Sequence, residues 1–213
     1  PGQVAAVVME PMGVVEPEAG FLDRVRLLAQ REGALLIFNE VATAFRLALG
    51  GAQGYFGVTP DLTCVGNTMG NGYPVAAVVG RRDVMELVDE RPFSFTLSGE
   101  TLSLAAAKAT ITAMKDKKVI EHLWAVGGRL RDGCNVLARE FGVEKYIECV
   151  GLAPRTALIY KGDARVESLA VEGLFRQECL KRGVLVSSAQ NVCYSHSDVD
   201  IDYTLRVYRS VME

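Results

Sequence analysis

Residues 34–74 read ALLIFNEVATAFRLALGGAQGYFGVTPDLTCVGNTMGNGYP, and this stretch decides the fold. Ala34 to Phe38 is a short apolar run that stops at Asn39-Glu40. Leu62 to Val65 is a second, and it stops at Gly66-Asn67. Short apolar runs bounded by turn residues are the pattern of strands covered on both faces, as in a parallel sheet. In open α/β sheets, ligands lie at the carboxyl ends of the strands. Asn39, Glu40 and Asn67 therefore fall where a bound small molecule would sit.

Outward from this stretch the pattern continues. Val4 to Met9 is an apolar strand ending at Glu10-Pro11, and residues 13–20 form a loop rich in Gly, Pro and Glu. Leu22, Val25, Leu28 and Ala29 recur at helical spacing, which predicts a helix over Phe21–Arg31 closed by Gly33. Strand, helix, strand calls for a parallel pair with a right-handed crossover. The glycines at 50, 51, 54 and 57 mark either a flexible surface loop or backbone that approaches a ligand or partner chain closely. After the turn at Gly66–Gly72, Pro74 opens a strand over Val75–Val79, closed by Gly80. Asp83–Val88 reads as a short helix.

The segment Ser94–Glu100 is a polar loop that leads into an Ala-rich helix, Leu102–Met114. Hydroxyls and free amides before a helix can bind an anion, or a single hydroxyl can simply cap the helix. The charge run Asp116-Lys117-Lys118 marks a boundary between residues 1–115 and 116–213. Beyond it, Val119–Phe141 is an amphipathic helix with Leu123, Val126, Leu130 and Leu137 as its stripe. A strand over Cys149–Tyr160, a helix over Val166–Arg182 and a strand over Val184–Val186 follow. Ser197 with Asp200 reads as a capping box opening a last helix, with Ile201, Leu205 and Tyr208 inward. The expected fold class is α/β for the first part, with a small α+β domain after it.

Composition narrows the function. The 213 residues carry 23 Lys and Arg against 26 Asp and Glu, a formal net charge of −3. That leaves no broad basic surface for a phosphate backbone, so nucleic acid is excluded as a partner. No apolar run reaches the ~20 residues of a membrane span, and no signal peptide leads the sequence. Five cysteines without a CxxC pair, and two distant histidines, fit a reduced cytoplasmic protein with no zinc site.

The ordered segments LLIFNEVATAFR, GGAQGYFGVTPDL and GNTMGNGYP resemble the class III, fold-type I, pyridoxal-phosphate enzymes, the aminotransferases and glutamate-1-semialdehyde aminomutases. That family's stretch runs roughly LLIxDEVxTGFR, GGAQxYFGVxPDL, GKxMGxGxP. The resemblance implies the C-terminal half of such a protein: part of a mostly parallel large domain, then the small lobe that closes over the active site. It implies an upstream half carrying the loop that grips the cofactor phosphate. It also implies pyridoxal 5′-phosphate as the family cofactor, a small amino or keto substrate, and a homodimer.

The departures fall on the chemistry. By this resemblance Asn67 stands at the lysine that forms the Schiff base, Asn39 at the aspartate that holds the pyridine nitrogen, and Ala44 at a glycine. A lysine amine is both nucleophile and base, whereas an amide is neither. A neutral amide also stabilises a charged ring less than a carboxylate does. Glu40 points to the opposite strand face from Asn39 and does not replace it. The family implies that Val41 packs on the cofactor ring, and plain core is the other reading of that valine. Thr96 corresponds to the threonine that reaches the phosphate of the neighbouring subunit. Arg155 has a fork suited to a substrate carboxylate; a surface arginine is its plainer reading. Arg46 reads as structural. If Ala44 sat at positive φ it would cost about 1 kcal/mol.

Two functions follow as expectations. One is an aminotransferase- or aminomutase-like half that does not run transamination as it stands, and whose cofactor binding is at best non-covalent. The other is a non-catalytic interaction or ligand-binding module that pairs with an active partner chain.

Overall fold

The computed structural model describes residues 2–88 and 96–213, and the chain divides into two units, Pro1–Ile120 and Glu121–Glu213. The first unit is built on a sheet of β1 (Ala6–Met9), β2 (Leu35–Asn39), β3 (Leu62–Val65) and β4 (Ala77–Gly80), in that spatial order. β1, β2 and β3 are mutually parallel and β4 is antiparallel. The parallel pair β1–β2 is joined through helix α1 (Phe21–Glu32). Gly33 ends α1 at φ 70°, the left-handed conformation that only glycine adopts without strain.

The core explains the register. Leu36 and Phe38 on β2 pack with Leu22 and Ala29 of α1, and with Ala34 and Val58. The period of two along β2 sends Leu35 and Ile37 to the other face, where they are half-buried, and Val8 on β1 is 64% exposed. The expectation of strands covered on both faces therefore holds for one face. α1 supplies that cover, and the other face of the sheet stays open to solvent within this unit.

The glycine-rich segment is not a loop throughout. It contains the short helix α2 (Gly51–Phe56), bounded by Gly50 and by Gly57 at φ 73°. After β4 come α3 (Arg82–Met85) and a 3-10 turn at Glu86–Val88. Helix α4 (Thr101–Asp116) follows, and the carboxylate of Glu100 caps it, accepting the amides of Leu102 and Ser103 at 2.7 Å each. A hydroxyl cap was one of the two readings of this loop, and the cap itself is a carboxylate instead. The carboxylate reaches two orphan amides at once, and Ser94 and Phe95 lie outside the described residues.

The second unit has a three-stranded antiparallel sheet, β5 (Ile147–Leu152), β6 (Arg155–Tyr160) and β7 (Ala189–Gln190). The single strand expected over Cys149–Tyr160 is a hairpin that folds back at Ala153-Pro154. Pro154 has no N–H to give to a ladder. Around the sheet lie α5 (Val119–Glu140), α6 (Ser168–Lys181) and α7 (Asp198–Met212). The α5 stripe Leu123, Val126, Leu130 and Leu137 is buried. Ser197 and Asp200 form the capping box of α7, and Ile201 and Tyr208 are buried while Leu205 is half-buried. The strand expected at Val184–Val186 is absent, and Leu185 is 85% exposed. The third strand forms five residues later, where β6 offers a free edge. All five cysteines are free thiols. No helix among the described residues is long and apolar enough to cross a membrane.

Candidate functional site

The carboxyl ends of β2 and β3 lie side by side. Asn39 is in register with Cys64, and the Glu40 amide donates to the Cys64 carbonyl at 2.9 Å. Both strands then leave the sheet, and the polar residues that follow them line its edge.

Asn39 is half-buried, and its Oδ1 accepts the Val41 amide at 3.2 Å. Val41 is 38% exposed, so in this unit it is surface rather than core. Asn67 is exposed and opens a 3-10 turn, Asn67–Gly70, at φ 48°. Asparagine tolerates that left-handed conformation better than most residues because its short amide bonds locally. Met69 and Gly70 in the same turn are buried, and α4 packs against the turn. Arg46 reaches the turn from the β2 side, its Nη2 donating to Thr68 Oγ1 at 3.5 Å. Arg46 thus ties together the two segments that carry Asn39 and Asn67.

Glu40 behaves differently from its neighbour. It turns into the core and is 0% exposed. Its two oxygens accept the Thr43 hydroxyl at 3.0 Å, the Ala52 amide at 2.5 Å, the Gln53 amide at 3.0 Å and Gln53 Nε2 at 3.1 Å. Gln53 Nε2 also donates to Thr63 Oγ1 at 3.1 Å. Glu40 thus locks α2 to the tips of β2 and β3. Gly51 is at φ 71°, and a Cβ there would collide with the Glu40 carboxylate. The glycine-rich segment comes close to protein, and what it approaches is Glu40. Ala44 is buried, and the left-handed residue in this bend is its neighbour Phe45, at φ 58°. The possible penalty at Ala44 therefore does not arise.

Sequence reading missed Asp61. It is 2% exposed and accepts the Leu36 amide at 2.8 Å, Arg26 at 2.5 Å and Arg81 at 3.0 Å. Burial alone raises its pKa, but the Leu36 amide and the two guanidinium groups outweigh burial and hold it below the ordinary carboxylate value. The signal was an acidic residue placed directly before an apolar strand. Its role is to clamp the amino ends of β2 and β3, opposite the candidate site.

Thr96 is exposed in the turn that precedes α4, with Gly99 at φ 75°. Arg155 belongs to the second unit, where it opens β6 and is half-buried. Among the described residues, no group of three or more His, Cys, Asp or Glu is placed to hold a metal ion.

A mostly parallel α/β sheet with polar residues gathered at adjacent strand ends is the architecture in which open α/β proteins place their ligands, at the carboxyl edge of the sheet. The comparisons name the family. The family description Aminotransferase class-III matches residues 1–197, and the chain belongs to that family. The glutamate-1-semialdehyde 2,1-aminomutase of Desulfitobacterium hafniense (strain DSM 10664 / DCB-2) is 38% identical over 227 residues, covering 99% of this chain and 53% of that protein. The protein of the same name from Desulforudis audaxviator (strain MP104C) is 40% identical, covering 95% and 51%. The FumI protein of Sphingopyxis sp. MTA144, in its PLP internal aldimine form, shares the fold at TM-score 0.87 and 23% identity, over 98% of this chain and 51% of that one. The fold is thus that of the fold-type I transaminases, and the chain spans about half the length of the curated relatives it matches.

Proposed function

We propose that this chain is a class III aminotransferase- or aminomutase-like half whose strand-end site takes a vitamin B6 ligand without a covalent bond and does not carry out transamination as it stands. The observation that carries this is Asn67. It stands in the Gly66–Pro74 turn beside the tip of β2, and its amide can neither condense with an aldehyde nor shuttle a proton near neutral pH. Bound pyridoxal 5′-phosphate supplies an electron sink to any enzyme that holds it. The residues here do not fit a covalent tether. They do fit a ring laid against the strand ends, with Asn39 offering an amide and Val41 an exposed apolar side chain. Thr96 offers a hydroxyl to a phosphate, across the interface of a homodimer. Arg155 is assigned to a substrate carboxylate, and the compartment to the cytoplasm.

The test is a visible spectrum of the chain with added pyridoxal phosphate, before and after borohydride reduction and peptide mapping. Saturable binding with no site-specific reduced adduct is the expected result. A specific covalent adduct on one lysine of this chain overturns the reading. Asn67→Lys with Asn39→Asp, supplied with an upstream half from a relative, should restore cofactor colour.

A second reading is favoured by the open face of the sheet, where Val8 and Val78, aligned through Ile37, Leu62 and Cys64, are both exposed. In it, the chain is a non-catalytic module that pairs with a partner carrying the upstream half. Co-expression with that half, followed by gel filtration, checks it.

A further inference from the structure

The amide of Asn39 has a fixed orientation. The Val41 N–H can be accepted only by Oδ1, and it is, at 3.2 Å. The end of the side chain left for a ligand is therefore the Nδ2H₂ group, which can only donate. A carboxylate in the same place would give one oxygen to Val41 and present the second as an acceptor. The exchange of a single atom keeps the shape and reverses the polarity.

We infer that the tip of β2 selects a heteroaromatic ring whose nitrogen carries a free lone pair, an unprotonated pyridine of the vitamin B6 class, and discriminates against the pyridinium form. The inference rests on the reading that this edge holds its ligand without a covalent bond. An Nδ2–H facing a ring nitrogen makes a hydrogen bond. The same group facing a ring N–H⁺ puts two donors together and leaves a charged donor without a partner, which costs more than the bond is worth.

A ring proton at this edge would need a nearby carboxylate to accept it. Glu40 is buried with both oxygens already accepting from Thr43, Ala52 and Gln53. Asp61 sits at the amino ends of the strands, bonded to Leu36, Arg26 and Arg81. Glu10, just past β1, is exposed at the same sheet edge and is tested directly. Arg46 and Cys64 are not carboxylates.

The probe is pyridoxine 5′-phosphate labelled with ¹⁵N in the ring. It has no aldehyde and cannot condense with any lysine. Its ring resonance is recorded on the 213-residue chain at neutral pH. The expected resonance lies in the unprotonated pyridine range, and Asn39→Asp moves it into the pyridinium range. Asn39→Ala weakens binding about five- to tenfold, the worth of one hydrogen bond. A pyridinium resonance on the unsubstituted chain overturns the inference, and Glu10→Gln then shows whether Glu10 is the acceptor. Unchanged affinity in Asn39→Ala overturns it too. In both cases the non-covalent reading stands. Absence of saturable binding overturns both readings, and so does a borohydride-fixed lysine adduct formed with pyridoxal phosphate, since the inference rests on the non-covalent reading.

Discussion

The carboxylate of Glu40 accepts the backbone amide of Ala52 at 2.5 Å, and with it the amide of Gln53 at 3.0 Å, twelve and thirteen residues further along the chain. One buried side chain thereby holds helix α2 against the strand tips. Glu40→Ala strands those amides and the Thr43 hydroxyl in a dry interior. The expected loss is about 2–4 kcal/mol, read as a lower urea midpoint. Gly51→Ala should fail through the same contact, because its new Cβ meets the Glu40 carboxylate at a positive φ.

Asp61 is the buried carboxylate that contributes to the acid limb of stability. Its pKa is raised by burial but lowered further by the Leu36 amide, Arg26 and Arg81, so the folded value lies below the ordinary 3.8. A carboxylate depressed in the fold contributes stability above the unfolded value and loses it as pH falls through the folded one. Asp61→Asn should therefore be less stable at neutral pH by about 2–3 kcal/mol, the worth of hydrogen bonds to a charged group. In denaturant titrations across pH the gap between the two proteins should begin to narrow below about pH 4 and close only once pH falls below the depressed folded value of Asp61.

Asn67 tests backbone strain at the site. At φ 48° a residue with a Cβ pays about 1–2 kcal/mol unless its side chain compensates. Asn67→Ala should lower the melting temperature, whereas Asn67→Gly should leave it unchanged or raise it. Equal effects from both would contradict the left-handed turn.

Gly127 on α5 lies against the β5–β6 turn, and a Cβ there would run into the Ala153 carbonyl. Gly127→Ala must push the helix off the hairpin, for an expected loss of about 1–3 kcal/mol. Gly128→Ala, one residue on, meets only the Ala153 Cβ at 3.8 Å and should be tolerated. The pair of melting curves separates packing from helix propensity, which alone favours alanine at both positions.

Local rules made much of this fold legible. The β3 strand has the bounds its apolar run predicts, Gly33 ends α1, and the Ser197–Asp200 box opens α7. Each of these depends on neighbours within a few residues. The errors came where distant chain intervened. α2 hides inside a glycine-rich segment because Glu40 holds its first turn. The strand expected at Val184–Val186 forms instead at Ala189–Gln190, where β6 has an edge to pair.

The sequence alone determined the family and the identity of the residues at the strand ends: Asn39 and Asn67, amides whose chemistry no fold can change. Only the tertiary structure decided what packs around them. It turned Glu40 inward onto α2 and packed α4 against the left-handed turn that holds Asn67. The Asn39 amide is oriented locally, its Oδ1 accepting the Val41 amide two residues on. The physical reason is that a polar side chain takes its direction from the partners that reach it, and for Glu40 those partners arrive on helix α2, a separate element of the chain.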